Sequence, residues 1–364
     1  MKQMLIIGLA SISLLGACTD NEQPELSEDS EDVLEQPDTE EPNEMDIEIV
    51  AENLEVPWTI EAFDETLYLT ERPGTILTIT EGTVDRQELE LEEELSGASE
   101  AGLLGFVLSP DFSETSEAFA YYTYETGENR FNRIIRLVLE DNTWRESQVL
   151  LDQIPSGSVH HGGRLKIGPD DRLYATTGDA ASPEIAQDLS SLGGKTLRLN
   201  LDGSIPEDNP FADSYVYSYG HRNAQGLTWD ADETLYSSEH GDRANDEINV
   251  IESGENYGWP VIEGEEEQEG MVSPLFTSGQ DNTWAPSGMA YHDNTLYVSA
   301  LRGNAVLEFN LETNEERALF TEFGRIRDIY IDGEYLYFIS NNTDGRGDPA
   351  EDDDKVYRVL LSDI

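Results

Sequence analysis

The sequence predicts an all-β protein: a six-bladed β-propeller with four-stranded blades, preceded by a signal peptide and a disordered acidic tether. Three observations carry this expectation. A strand–turn–strand unit recurs along the chain, no long apolar stretch of 3.6-residue period follows Asp46, and an N-terminal apolar run gives way to an acidic segment poor in apolar residues.

The N-terminus reads as a targeting segment. Lys2 supplies a positive charge, Leu5 to Leu15 an apolar stretch, and Leu15-Gly16-Ala17-Cys18 a cleavage site of lipobox type. Residues 1–17 are therefore expected to be a lipoprotein signal peptide. Cys18 is the single cysteine of the 364 residues and stands where lipidation needs it. Without a second cysteine no intrachain disulfide forms, although the expected location is extracytoplasmic, anchored to the cell membrane. Residues 18–46 are rich in acidic residues, Pro, Ser, Gln and Asn, and too poor in apolar surface to offset the entropy of ordering. They form the linker, and the propeller is expected over 47–364.

The recurring unit is an apolar strand, an Asp/Gly/Asn turn, and Leu-Tyr opening the next strand. It occurs at Thr59–Thr70, Arg164–Thr176, Gly226–Ser237, Gly288–Ser299 and Arg327–Ser340. A looser copy spans Gly102–Tyr124, with Ser109-Pro110-Asp111 as its turn. Further strands follow most copies, at Ile76–Thr80, Ile134–Leu139, Leu197–Asn200, Glu247–Ile251, Ala305–Asn310 and Lys355–Leu360. A spacing of roughly 40–60 residues suits four-stranded blades set radially, and ring closure leaves only short sheet edges exposed.

Composition narrows the function. The chain carries 77 acidic and 21 basic side chains, a formal net charge of −56. Such a surface repels phosphate backbones, which argues against nucleic-acid binding. No zinc-ligand spacing, phosphate-cradling loop or nucleophile elbow is present.

Four loop motifs carry the chemistry. Glu100-Ala101-Gly102-Leu103-Leu104-Gly105-Phe106 comes first, then His160-His161-Gly162-Gly163-Arg164-Leu165 with Thr177-Gly178-Asp179. Gly220-His221-Arg222-Asn223-Ala224-Gln225-Gly226 follows, and Glu239-His240-Gly241-Asp242 runs into Asp246-Glu247 and Asn256-Tyr257-Gly258-Trp259-Pro260. In order and spacing these resemble the soluble dehydrogenases of the glucose/sorbosone dehydrogenase family that depend on pyrroloquinoline quinone (PQQ), the aldose sugar dehydrogenase branch in particular. The resemblance runs from about Leu54 to the C-terminus.

The resemblance implies oxidation of an aldose hemiacetal to its lactone. His160 takes the hydroxyl proton, Asp179 orients its imidazole, and hydride passes to PQQ activated by calcium. His161, adjacent to His160, is a rival for the base. Glu100, Arg222, Asn223, Arg302, Arg325 and Arg327 fall in positions that resemble the cofactor-binding loops. Arginine's planar fork suits the three carboxylates of PQQ. Backbone carbonyls at Gly241 and Asp242 resemble the cofactor-side calcium site, and the Glu247 carboxylate with the Tyr257 carbonyl a second calcium site. Four positions depart from the pattern: Glu100 replaces glutamine, Arg302 lysine and Asp242 proline, and Val159 stands where a glucose-oxidising relative has an acid. Glu100 is expected either to accept from a sugar hydroxyl or to be protonated beside PQQ. An aldose substrate, an unidentified electron acceptor and a lipid membrane are the implied partners. A calcium-dependent propeller lactonase and a non-catalytic surface propeller that binds carbohydrate or protein are the alternatives.

Overall fold

The computed structural model describes residues 45–364. The expected signal peptide, the lipidation site Cys18 and the linker up to residue 44 lie outside the described residues.

The described chain is all-β, apart from one short helix at Phe112–Thr115 and two brief 3-10 turns. Four sheets are four-stranded and antiparallel. In pairing order they are Leu165–Ile167, Leu173–Thr177, Lys195–Leu199 and Val216–Tyr219; Ala224–Trp229, Leu235–Glu239, Glu247–Ile251 and Phe276–Thr277; Pro286–His292, Thr295–Ala300, Ala305–Asn310 and Glu316–Leu319; and Ile326–Asp332, Tyr335–Ser340, Val356–Leu360 and Glu48–Ala51. A fifth sheet has eight strands. It joins the run Pro57–Phe63, Thr66–Glu71, Thr75–Thr80, Thr83–Glu90 to the run Leu103–Leu108, Glu117–Thr126, Asn129–Glu140, Thr143–Pro155. The join is a short parallel pairing, Leu89 opposite Trp144. The leading strands of successive runs pack one on the next, and Ile326–Asp332 returns to Pro57–Phe63. This is the arrangement of a β-propeller.

The recurring Leu-Tyr dipeptides open the second strand of their runs, as at Leu173-Tyr174 and Leu296-Tyr297. These strands are buried on both faces, because each sheet is covered by a neighbour on either side. One core cluster, with Trp58, Leu104, Tyr121, Ile134, Leu165 and Leu197, bridges several runs. Each such side chain contributes about 1.5–3 kcal/mol on burial. The leading strands also share a buried ionic axis. Arg164 pairs with Asp328 at 2.9 Å, donates through Nε to the Gln225 carbonyl at 2.8 Å, and lies 4.3 Å from the Trp58 ring centre. Asp328 accepts a second bond from the Ile60 amide at 2.9 Å. The functional loops emerge around this axis.

Candidate active site

His160 sits in the loop before Leu165–Ile167, with φ of 63°. That left-handed conformation is costly for a residue with a β-carbon and is held by its surroundings. Its amide donates to Glu100 Oε2 at 3.2 Å, and Gly178 lies directly beneath it. A Cβ added at Gly178 would stand 1.9 Å from the His160 carbonyl oxygen. This close approach brings His160 Nδ1 within 2.8 Å of Asp179 Oδ1. The fully buried Asp179 also accepts from Trp259 Nε1 at 2.9 Å and from the Ala181 amide at 2.8 Å. A carboxylate that only accepts places the proton on Nδ1, which leaves the Nε2 lone pair of neutral His160 for an outside proton.

His161 is built differently. Nε2 meets the Ser99 carbonyl at 3.0 Å and Nδ1 meets the Ser156 hydroxyl at 2.9 Å. Because a carbonyl only accepts, the proton is on Nε2 and the Ser156 hydroxyl donates to Nδ1. Burial pushes this imidazole down to about 4. Both nitrogens are engaged, so the ring has no lone pair to offer a substrate.

A cavity of about 230 Å³ is lined by His160, Glu100, Arg222, Asn223, Gly241, Asp242, Arg302 and Arg325. Arg222 reaches Asp242 Oδ1 at 3.3 Å and lies 5.2 Å from the Trp259 ring centre. Asp242 therefore turns its carboxylate onto an arginine. Asn223 Oδ1 accepts from the Gly162 amide at 3.1 Å and ties two of the site loops together. Arg325 pairs with Asp344 at 2.8 Å and donates to the Leu301 carbonyl at 3.1 Å. The Arg302 side chain is exposed and makes no ion pair among the described residues. Arg327 lies in a smaller neighbouring cavity with Arg72, Trp58 and His240, where it donates to Gln225 Oε1 at 2.7 Å. Burial, then the charges of Arg72 and Arg325, push Arg327 down to about 9. Both arginines of Arg325-Ile326-Arg327 thus face cavities, as residues two apart on a strand do.

Several arginine donors of this region lack a partner. The Nε–H groups of Arg222, Arg325 and Arg327 are buried without a hydrogen-bond partner. Leaving such groups unsatisfied is costly, and a flat polycarboxylate would satisfy them. The residues therefore fit PQQ.

Glu100 is neither protonated nor free. Burial would raise its pKa, but Arg346 outweighs that, with an ion pair at 2.6 Å, and holds the carboxyl at about 2. Its negative charge is already matched by a protein cation.

The expected calcium ligands fall in two places. Gly241 and Asp242 line the cavity, in a turn fixed by the buried Asp246. That carboxylate accepts from the Gly241 amide at 2.9 Å, the Thr283 hydroxyl at 2.8 Å, and the Trp284 and Ala285 amides at 2.5 and 2.8 Å. Glu247 is buried directly across the strand pair from Glu239. Burial and then the Glu239 charge raise its pKa to about 8. Asn245 Oδ1 and Asn249 Oδ1 nearby are buried without a donor. Opposed carboxylates with orphaned amide oxygens have the chemistry of a hard-cation site. Tyr257 stacks on His221 at 4.8 Å and donates its hydroxyl to the Val250 carbonyl at 2.5 Å. Among the described residues no three His, Cys, Asp or Glu side chains converge, so a cation here would rely on carbonyl and amide oxygens.

Trp259, His240, Asp246, Asp344 and Arg346 join the site without having been assigned to it from the sequence. Trp259 and His240 stood inside the quoted motifs. Arg346 and Asp344 belong to the acidic stretch Asn341–Asp354, whose composition reads as a charged terminal loop.

Comparison with known proteins identifies the family. Residues 54–351 match the glucose/sorbosone dehydrogenase family model. The chain is 35% identical to the PQQ-bound form of aldose sugar dehydrogenase from Streptomyces coelicolor, with a TM-score of 0.80 over 88% of this chain and 99% of that one. It is 28% identical to the aldose sugar dehydrogenase of Escherichia coli over 84% of this chain and 92% of that protein. Quinoprotein glucose dehydrogenase B of Acinetobacter calcoaceticus is 33% identical over 60% of this chain and 53% of its own length. Because the family match spans most of the folded region, the chain belongs to the glucose/sorbosone dehydrogenase family.

Proposed function

We propose that this protein is a PQQ-dependent dehydrogenase that oxidises an aldose hemiacetal to its lactone. The observation that carries the reading is the His160–Asp179 pair at 2.8 Å beside a cavity ringed by arginines with unsatisfied donors. His160 Nε2 takes the proton of the anomeric hydroxyl, and Asp179 stabilises the imidazolium that results. Arg222, Arg302 and Arg325 hold carboxylates of the cofactor, with Asn223 fixing the loop between them and Arg327 adding positive charge from the adjoining cavity. PQQ, when bound, supplies the electrophilic quinone that accepts the hydride. Gly241 and Asp242 would hold a calcium ion at the cofactor, where it would act as a Lewis acid, and Glu247 with the Tyr257 carbonyl a structural one.

The same reading extends to the scaffold and its location. The six leading strands support six blades. The Leu15-Gly16-Ala17-Cys18 sequence supports a lipid anchor on the outer face of the membrane, from which an acidic tether holds the enzyme. Electrons leave to a separate acceptor.

Titration of the purified protein with PQQ and calcium, followed by aldose-dependent dye reduction, tests the reading. Wild type should bind PQQ saturably and turn over, and His160→Ala should bind PQQ but lose turnover by at least about a hundredfold. Dye reduction indifferent to PQQ would refute the assignment. Binding without turnover in wild type would favour a carbohydrate- or protein-binding role.

A further inference from the structure

The segment between Tyr335–Ser340 and Val356–Leu360 is anchored at both ends. Near its start Asp344 pairs with Arg325, and near its end Asp354 accepts from the Asn342 amide and the Thr343 hydroxyl, each at 2.5 Å. Between these anchors Arg346 reaches across the cavity to the loop that precedes Leu103–Leu108. Its Nη2 lies 2.6 Å from Glu100 Oε1 and 3.0 Å from Ser99 Oγ. Glu100 is itself fixed, since its other oxygen accepts the His160 amide. The Arg346 side chain is 46% exposed and lines both the main and the smaller cavity. Nε and Nη1 make no hydrogen bond to the described residues.

The charge balance gives those free donors a use. A tricarboxylate entering this cavity meets Arg222 and Arg325 already matched by Asp242 and Asp344. Arg346 is matched too, but by one edge of its guanidinium, which leaves the other edge for a second carboxylate. A glutamine at position 100 would hold Arg346 by a neutral bond, whereas the ionised Glu100 holds it by charge. We propose that Arg346 is a further cofactor-binding residue, presented to a carboxylate of PQQ by the Glu100 side chain. This rests on the PQQ assignment above.

Equilibrium binding of PQQ in saturating calcium, followed by absorbance or calorimetry, tests it without recourse to turnover. Arg346→Ala should weaken PQQ binding by about tenfold or more. Glu100→Gln should weaken it by about threefold, and the double variant no further than Arg346→Ala alone, because Glu100 acts through Arg346. Arg346→Lys should recover part of the loss, since it restores charge without the fork. Arg346→Ala should also lower the melting temperature, because it strands the largely buried Glu100 carboxylate, so affinities are compared at a temperature at which every variant is folded. PQQ affinity in both Arg346→Ala and Arg346→Gln within twofold of wild type would overturn the inference and leave the PQQ assignment intact. Independent, multiplicative losses in the double variant would overturn the role given to Glu100. Failure of wild type to bind PQQ would overturn the assignment and the inference together.

Discussion

The indole nitrogen of Trp259 donates to Asp179 Oδ2 at 2.9 Å, so the carboxylate that orients His160 is itself held in place. The same indole ring lies against Arg222. One side chain therefore sets both the proton acceptor and a cation of the cavity.

Asp179→Asn tests this arrangement. An amide nitrogen facing Nδ1–H or the indole N–H replaces an acceptor with a donor, and the imidazole loses its fixed tautomer. Dye reduction should fall by about a hundredfold or more, while PQQ affinity stays within about twofold. Trp259→Phe keeps the ring under Arg222 but loses the N–H, and its turnover should fall by about tenfold. Equal losses of PQQ affinity in both variants would contradict the separation of roles.

Gly178→Ala adds one methyl group against backbone. The new Cβ would sit 1.9 Å from the His160 carbonyl oxygen and 2.3 Å from its carbon, so the His160 loop must move. Reacting groups displaced by an ångström lose much of their rate. Turnover is expected to drop at least about tenfold with the far-ultraviolet spectrum unchanged. A fully active variant would show that the loop tolerates displacement.

Arg164→Ala concerns the scaffold. It strands the buried Asp328 with only the Ile60 amide and removes the bond to Gln225. Breaking one side of a buried pair costs about 3–5 kcal/mol. Thermal or urea unfolding should register a loss of that order, and a loss under about 1 kcal/mol would mean that water enters the axis.

Acid should weaken the fold through His161. In the unfolded chain this ring titrates near its ordinary 6.5, and in the folded chain burial moves it to about 4. Between those values the unfolded chain holds a proton that the folded one lacks. The stabilisation is therefore complete above about pH 6.5 and is lost as pH falls towards 4, on the order of 3 kcal/mol in all. His161→Gln should show a flatter stability profile over that interval. An identical slope in both proteins would count against it.

The repeat was legible because its signals are local. Leu67-Tyr68, Leu173-Tyr174 and Leu296-Tyr297 each follow a turn within a few residues, and each opens a strand. The strand Glu48–Ala51 was not, since only its last residue is buried and its partner lies some 300 positions away at Val356–Leu360. Among the site residues, His160, Arg222 and Arg325 were singled out because they stand in motifs that resemble those of the family. Arg346 gave no such signal. Its loop looks like surface charge until the fold carries it to Glu100. Of the two Glu100 alternatives the protonated one is contradicted for the same reason, since it did not include Arg346, a cation from the opposite end of the chain.

The pairing of Glu48–Ala51 with Val356–Leu360 bears on how this enzyme can be trimmed. Both strands lie beyond residues 54–351, the stretch the family shares. A fragment cut to those limits would leave Tyr335–Ser340 without its outer neighbours and expose the edge of a hydrophobic sheet to any other copy in solution. The portion most recognisable by descent is thus shorter than the portion that can stand alone.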